Sequence, residues 1–405
     1  MPEPRAPYLV IDTDSHFQEP IDWLCDVDPE LAEMMPPSLL FDLSAHDVLT
    51  GLVGPLTRER TAGAPLRMPE PIMAALLQSR TLGSLREVAK AFGDGLVKDL
   101  PMPFGAYDAG ERLQCLDEQG IDKQLVNPIG SLMLIARMTT VHGPGYFTRV
   151  AGAYNTWAAE RLAGHTDRLF PTCLISLEHP EWSVAELKRM RARGSRAFLV
   201  RAEAESKAPS HPDVEPVWAM AAELGMVAVL HFGWGRASLP QAWYETGSEA
   251  LEEVAFLAGS MQPAVPQLFL TSMIAGGVLA RHPDLCVLVE EYFPSRWLAT
   301  WLWQLDCVPK IPQFRVLTGP WRYPLTPREY AARQIFFSCQ PGDQLAEAIR
   351  ALGPGWFVFS SDFPHPEGSA DAVRYFRRQF EGKVPDQATR AFFGETMGGV
   401  LRGSQ

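Results

Sequence analysis

Apolar residues gather in eight short runs, at residues 8–11, 124–126, 169–174, 197–200, 227–230, 286–289, 335–337 and 356–359. Most are rich in Val, Ile, Leu and Phe without clean polar alternation, which predicts strands covered on both faces, as in a parallel sheet. Between the runs the spacing turns helical. Residues 111–119 (ERLQCLDEQ) place Leu113 and Leu116 on one face and stop at Gly120. Residues 182–193, 216–224 and 345–352 stop in the same way, at Gly194, Gly225 and Gly353. A glycine just past the last periodic residue is a helix stop. Strands alternating with helices predict βαβ units. Eight of them fit an α/β fold of the (β/α)8 TIM-barrel type, with residues 1–405 as one barrel domain, better than an open sheet.

The spacing is uneven. More than 100 residues separate the first two predicted strands, far more than an ordinary connection uses. Residues 20–103, with Pro and Met clusters such as MMPPSLL, are expected to form a mainly helical lid inserted after the first strand. A second long insertion, residues 233–266, follows the fifth strand. At 46% hydrophobic and 21% charged residues the composition is globular. Lys and Arg number 36 against 48 Asp and Glu, a net charge of −12, which argues against nucleic acid or an anionic membrane as main partner. The N-terminus shows no secretory pattern, and the longest nearly apolar run, residues 268–280, is too short for a membrane span. A cytoplasmic protein acting on a small molecule is the expectation. The six cysteines show no CxxC pair, so no zinc ribbon or disulfide framework is indicated. No G-x-G-x-x-G follows a strand and no G-x-x-x-x-G-K-[ST] occurs.

In a barrel, active-site groups sit at the C-terminal ends of strands. The first strand runs into Asp14 and His16, the fifth ends in His231, the sixth in Glu290 and Glu291, and the eighth in Asp362. Asp14 and His16 are two apart and share a face of an extended chain. With His231 and Asp362 they make a two-His, two-carboxylate set suited to one divalent cation of the zinc or iron type. Adjacent strand residues point to opposite sides, so only one of Glu290 and Glu291 is expected in the mouth. Glu291 is the choice, as a carboxylate beside the ion that moves a proton; a rim salt bridge with Arg296 is the bland alternative. Glu19 reads as an extra ligand, an anchor for a ligand or a cap for the lid. His365 reads as substrate-facing or as support for a ligand. Arg236 suits a substrate carboxylate or phosphate, or equally a surface ion pair. No G-x-S-x-G elbow is present, and Cys339 reads as a small apolar filler.

The segments V-I-D-T-D-S-H-F-Q-E-P, V-L-H-F-G, G-V-L-A-R-H-P-D-L-C-V-L-V-E-E and F-S-S-D-F-P-H-P-E-G occur in that order. Together they resemble the amidohydrolase superfamily, in the branch that includes aminocarboxymuconate-semialdehyde decarboxylase and the resorcylate decarboxylases. Residues 105–122 look like that family's first barrel helix. The resemblance implies a TIM barrel with one catalytic divalent metal, usually zinc, and carries the ligand roles onto Asp14, His16, His231 and Asp362. Where the decarboxylases bring a catalytic His followed by glycines on the sixth strand, this chain has Glu291 followed by Tyr292, Phe293 and Pro294.

A carboxylate-rich site predicts a metal-dependent hydrolase first, in which Glu291 or Asp362 takes a proton from water and an amide, ester, lactone or thioester is cleaved. The alternatives are a non-oxidative decarboxylase (a lyase) of an aromatic or unsaturated acid, and a non-catalytic, metal-stabilised binding protein. Manganese and iron suit the same ligands as zinc. A homodimer is the family expectation. The helix around residues 297–303 (WLATWLW) is either its contact surface or, preferably, packed on the barrel.

Overall fold

The computed structural model describes residues 6–17, 19, 23–33, 105, 108–129, 131, 132, 135, 139, 142–202, 207–232, 256, 257, 259–364, 368, 369 and 371–402. Most of the 20–103 insertion, and residues 233–255 of the second one, therefore lie outside the described residues, as do Arg236 and His365.

The first barrel strand is built from two short pieces, β1 (Ile11–Asp12) and β2 (His16–Phe17). Seven more follow: β3 (Lys123–Pro128), β4 (Leu169–Leu174), β5 (Ala197–Leu199), β6 (Val227–His231), β7 (Val287–Glu290), β8 (Ile335–Cys339) and β9 (Phe357–Phe359). All neighbours pair in parallel and in chain order. The ring is drawn together between its first and last walls: Thr13 N–H donates to Phe359 O at 3.0 Å and His16 N–H to Phe363 O at 2.7 Å. This is the expected (β/α)8 barrel. Every residue of β4, β6 and β8 is buried, as continuous apolar strands between a filled interior and an outer helix layer must be.

The strands match their sequence positions closely, with one exception. The first was expected over residues 8–11, whereas its ladder begins at Ile11. Upstream, Val10 N–H donates to the Asp122 carboxylate and Tyr8 stacks on Phe393 of the C-terminal segment. That stretch is apolar because it covers the C-terminal helices, a role that periodicity cannot separate from a strand.

Helices end where their glycine stops were read, and the first begins two residues before the expected Glu111. Ala109–Gln119 opens on Asp108, whose side chain accepts from Glu111 N–H at 2.9 Å, and closes at Gly120, with φ 72°. Glycine reaches this left-handed turn without a Cβ clash. Pro180–Ala192, Glu215–Leu224 and Leu345–Leu352 end at the expected glycines. In the helix Leu298–Cys307 the tryptophans split: Trp301 is buried and Trp297 packs edge-on against Phe337 of β8, while Trp303 is 62% exposed. Among the described residues no helix is long and apolar enough to cross a membrane.

Candidate metal centre

The strand ends deliver their polar side chains to one buried point. Asp14 Oδ1 lies 3.4 Å from His16 Nε2 and 3.6 Å from His231 Nε2. The two imidazoles meet edge-on with their Nε2 atoms 3.3 Å apart. Glu291 Oε1 and Asp362 Oδ1 stand 3.6 and 3.5 Å from His16 Nε2. Asp14, His16, His231 and Glu291 each offer a donor atom within 4.8 Å of the others, with Asp362 alongside.

These separations carry chemical information. Donors arranged tetrahedrally at about 2.1 Å from one cation stand about 3.4 Å apart. Separations of 3.3–3.6 Å therefore match ligands around an ion, and exceed the hydrogen bonds that an ion-free charged cluster would draw tight. Both histidines are oriented for the task. His16 Nδ1 donates to Pro128 O at 3.1 Å and His231 Nδ1 to Phe232 O, so each presents Nε2 inward. Asp14 Oδ2 is buried with no hydrogen-bond partner, an arrangement that a cation relieves. The residues thus fit one divalent ion.

Protons do the neutralising when no cation is present. Burial pushes the His16 imidazole towards its neutral form, but the Asp14, Asp362 and Glu291 carboxylates outweigh it and hold its pKa well above the usual value. His231 is raised in the same sense, burial being overcome by Glu291 and Asp14. Asp14 shows the reciprocal effect: against burial, His16 and His231 lower it to about 2. Glu290 goes the other way, pushed well above the usual range by burial and then by the Asp14 charge.

Glu290 and Glu291 correct the alternation argument. Glu290 ends β7 in register with His231 and points inward, where its Oε2 accepts from Asn127 Nδ2 at 2.9 Å. Glu291 should then face outward, but its φ of 64° takes it off the strand and turns its carboxylate back to the histidines. Both glutamates serve the interior. Arg296 lies over the Phe293 ring at 5.3 Å. Asp362 is also left-handed, with φ 53°. Its N–H donates to Asp14 O at 3.0 Å, and a Cβ on Gly368 would come within 2.0 Å of its carbonyl oxygen, so only glycine fits there. Glu19 is not in the cluster; its Oε1 accepts from the Ser131 N–H and hydroxyl.

Three supporting residues escaped the sequence reading. Asp12 accepts from Ser361 N–H and Oγ and from Gln124 Nε2, locking the first strand to the turn that carries Asp362. Burial raises Asp12 to about 6 against those hydrogen bonds. Arg112, fully buried, lies between the Phe17 and Phe363 rings and donates to the carbonyls of Gly105 and His16 and to Gln124 Oε1. Asn127, near the end of β3, bridges Asp14 and Glu290. A signal for Asn127 was present in the sequence, since it directly follows the apolar run at residues 124–126.

A family model described as Amidohydrolase matches residues 11–396. The chain belongs to the amidohydrolase family. Solved structures of similar fold cover nearly all of this amidohydrolase. One is an amidohydrolase from Mycobacterium avium subsp. paratuberculosis, at 20% identity and TM-score 0.66, covering 99% of each chain. Another is a variant of 5-carboxyvanillate decarboxylase from Novosphingobium aromaticivorans with bound manganese and 3-methoxy-4-hydroxy-5-nitrobenzoic acid. It is 16% identical, with TM-score 0.63, over 98% of this chain and 97% of its own. A third is 2,6-dihydroxybenzoate decarboxylase from Rhizobium, 15% identical with TM-score 0.60, over 98% and 99%. At such identities the likeness establishes the barrel. No curated protein matches the chain.

Proposed function

We propose that this amidohydrolase is a metal-dependent decarboxylase of a small aromatic or unsaturated carboxylic acid. The observation that carries the reading is the crowding of carboxylates around two histidines. Asp14, Glu290, Glu291 and Asp362 share one buried locus, and like charges this close do not all ionise. Burial and the Asp14 charge push Glu290 towards its protonated form, so the site favours holding a proton among its carboxylates. Protonation of a carbon requires an acid within the site, which a carboxyl that holds a proton supplies. The similar folds of 5-carboxyvanillate and 2,6-dihydroxybenzoate decarboxylases support the same class.

Asp14, His16, His231 and Asp362 would hold the ion, with manganese the first to test and zinc the second. When bound, the ion neutralises and orients a substrate carboxylate and a neighbouring oxygen. Glu291 is the proton carrier, because at 8% exposure it has the most solvent-facing surface of the five central side chains. Its proton goes to the carbon bearing the carboxylate. The bond to that carboxylate then breaks, its electron pair returns to the unsaturated system, and carbon dioxide leaves. The carbonyls of Pro128 and Phe232 hold the two imidazoles, and the buried walls exclude water.

Hydrolysis, the first expectation from sequence, becomes the second reading. It is favoured by the pairing of Glu291 with His231, which suits removal of a proton from water. Manganese- and zinc-loaded protein is to be offered hydroxybenzoates alongside esters, amides, lactones and thioesters. Carbon dioxide release is expected. Glu291→Gln should lower it about 10²–10⁴-fold with the ion still bound at full stoichiometry. Hydrolysis without carbon dioxide would reverse the ranking.

A further inference from the structure

One amide group does more at this site than its neutral character suggests. Asn127 is the last residue but one of β3, and Glu290 ends β7, four strands away around the ring of eight on the opposite wall. The Asn127 Nδ2 group spans that interior. One of its hydrogens goes to Asp14 Oδ1 at 2.9 Å and the other to Glu290 Oε2 at 2.9 Å. Both hydrogens are thereby committed, in a dry interior where a stranded N–H costs about 1–3 kcal/mol. The Asp14 oxygen it selects is the one that stands 3.4 and 3.6 Å from the two histidine Nε2 atoms. Asn127 is braced in turn by its backbone, whose N–H donates to Ser15 O at 2.7 Å, and by its register opposite His16.

We infer that Asn127 is a positioning residue for the metal centre: it fixes the inward oxygen of Asp14 and screens that carboxylate from Glu290 across the barrel. The inference rests on the reading of Asp14, His16 and His231 as ligands. It supposes no contact between Asn127 and the ion or the substrate. Without the amide, two buried carboxylates would face one another with nothing between, and Asp14 would lose the donor that sets its rotamer. Partners of metal ligands of this kind contribute about 10–100-fold in metal affinity.

The test is the affinity of the protein for manganese alone, measured by competition with a chelator. Asn127→Asp keeps the shape and changes both donors into acceptors. Simple attraction predicts that an added negative charge near the site tightens cation binding, whereas a positioning role predicts the opposite sign. The expected result is binding weakened about 10–100-fold in Asn127→Asp. Asn127→Ala, which removes the amide without adding charge, should weaken it similarly, so the test survives a failure of either variant to fold. Thermal melting of the ion-free proteins separates the alternative of a purely structural role, in which melting falls but the affinity of the folded fraction is unchanged. Affinity within threefold of the parent in a folded variant, or tighter binding in Asn127→Asp, overturns the inference. Parent protein that binds no manganese or zinc removes the ligand reading itself and this inference with it, an outcome distinct from parent and variants binding alike.

Discussion

Glu291 and Asp362 sit on backbone that neither residue favours, with φ of 64° and 53°. A side chain with a Cβ in the left-handed region costs about 1–2 kcal/mol, and such conformations persist only where the surroundings over-determine them. At Asp362 the surroundings are explicit: its N–H is held by Asp14 O, the preceding Ser361 is pinned by Asp12, and Gly368 leaves room for its carbonyl. At Glu291 the turn brings a second consecutive glutamate to bear on the histidines. On the proposed function the strain serves the site, and removing it should separate stability from activity. Glu291→Gly relieves the left-handed backbone and takes one carboxylate out of a crowded cluster, at the expense of a modest loss of packing. At pH 8, where the charged form of the imidazoles that Glu291 favours contributes least, the ion-free variant is expected to be about 1 kcal/mol more stable than the parent in chemical denaturation, with turnover lost. An ion-free variant less stable than the parent would show that the contacts of Glu291 with His16 and His231 outweigh the backbone strain.

Among the elements, the helix Ala109–Gln119 reaches the site through a single side chain. From the outer layer it sends Arg112 inward to donate to His16 O at 2.5 Å and Gln124 Oε1 at 2.9 Å, between two aromatic rings. Burial lowers this guanidinium to about 10, still charged at neutral pH. Arg112→Leu strands the buried His16 and Gly105 carbonyls and the Gln124 amide oxygen. It should destabilise by about 3–5 kcal/mol; Arg112→Lys, lacking the planar fork, should recover less than half of the loss. Denaturation midpoints within about 1 kcal/mol of the parent for Arg112→Leu would contradict this account. The same helix shows what the sequence could convey. Its stop at Gly120 and the strand after it were legible, because a glycine stop and an apolar run are local signals. So were Asp14, His16, His231 and Asp362, since a charged group ending an apolar strand is conspicuous. Arg112 was not, because an arginine among Glu111, Asp117 and Glu118 reads as a solvated face. Asp12 reads as one more strand residue, and the joint service of Glu290 and Glu291 depends on a backbone turn that alternation forbids.

For the molecule as a whole, the proposed metal site is one for which protons and a divalent ion would compete, inside a chain of net charge −12. His16 and His231 have raised pKa values in the ion-free fold. Their contribution to stability is therefore fully present below about 6.5 and is lost as pH rises through the folded values. Asp12 and Asp343, each pushed by burial to about 6, act in the same direction over a lower range, with stability present below about 3.8 and lost by about 6. Asp14, lowered to about 2, is stabilising above about 3.8 and loses that contribution only in acid far below the working range. From these groups, the ion-free protein should melt at a higher temperature at pH 5.5 than at pH 8. A divalent ion reverses the trend, because it binds the neutral imidazoles and must displace their protons. Binding at 100 times the dissociation constant adds about 2.7 kcal/mol, so the metal-induced rise in melting temperature should be small at pH 5.5 and grow towards pH 8. Calorimetry in two buffers of different ionisation enthalpy should also register proton release on metal binding at pH 7. A metal-induced shift of equal size at both pH values, with no proton release, would mean that the ion binds somewhere other than between His16 and His231.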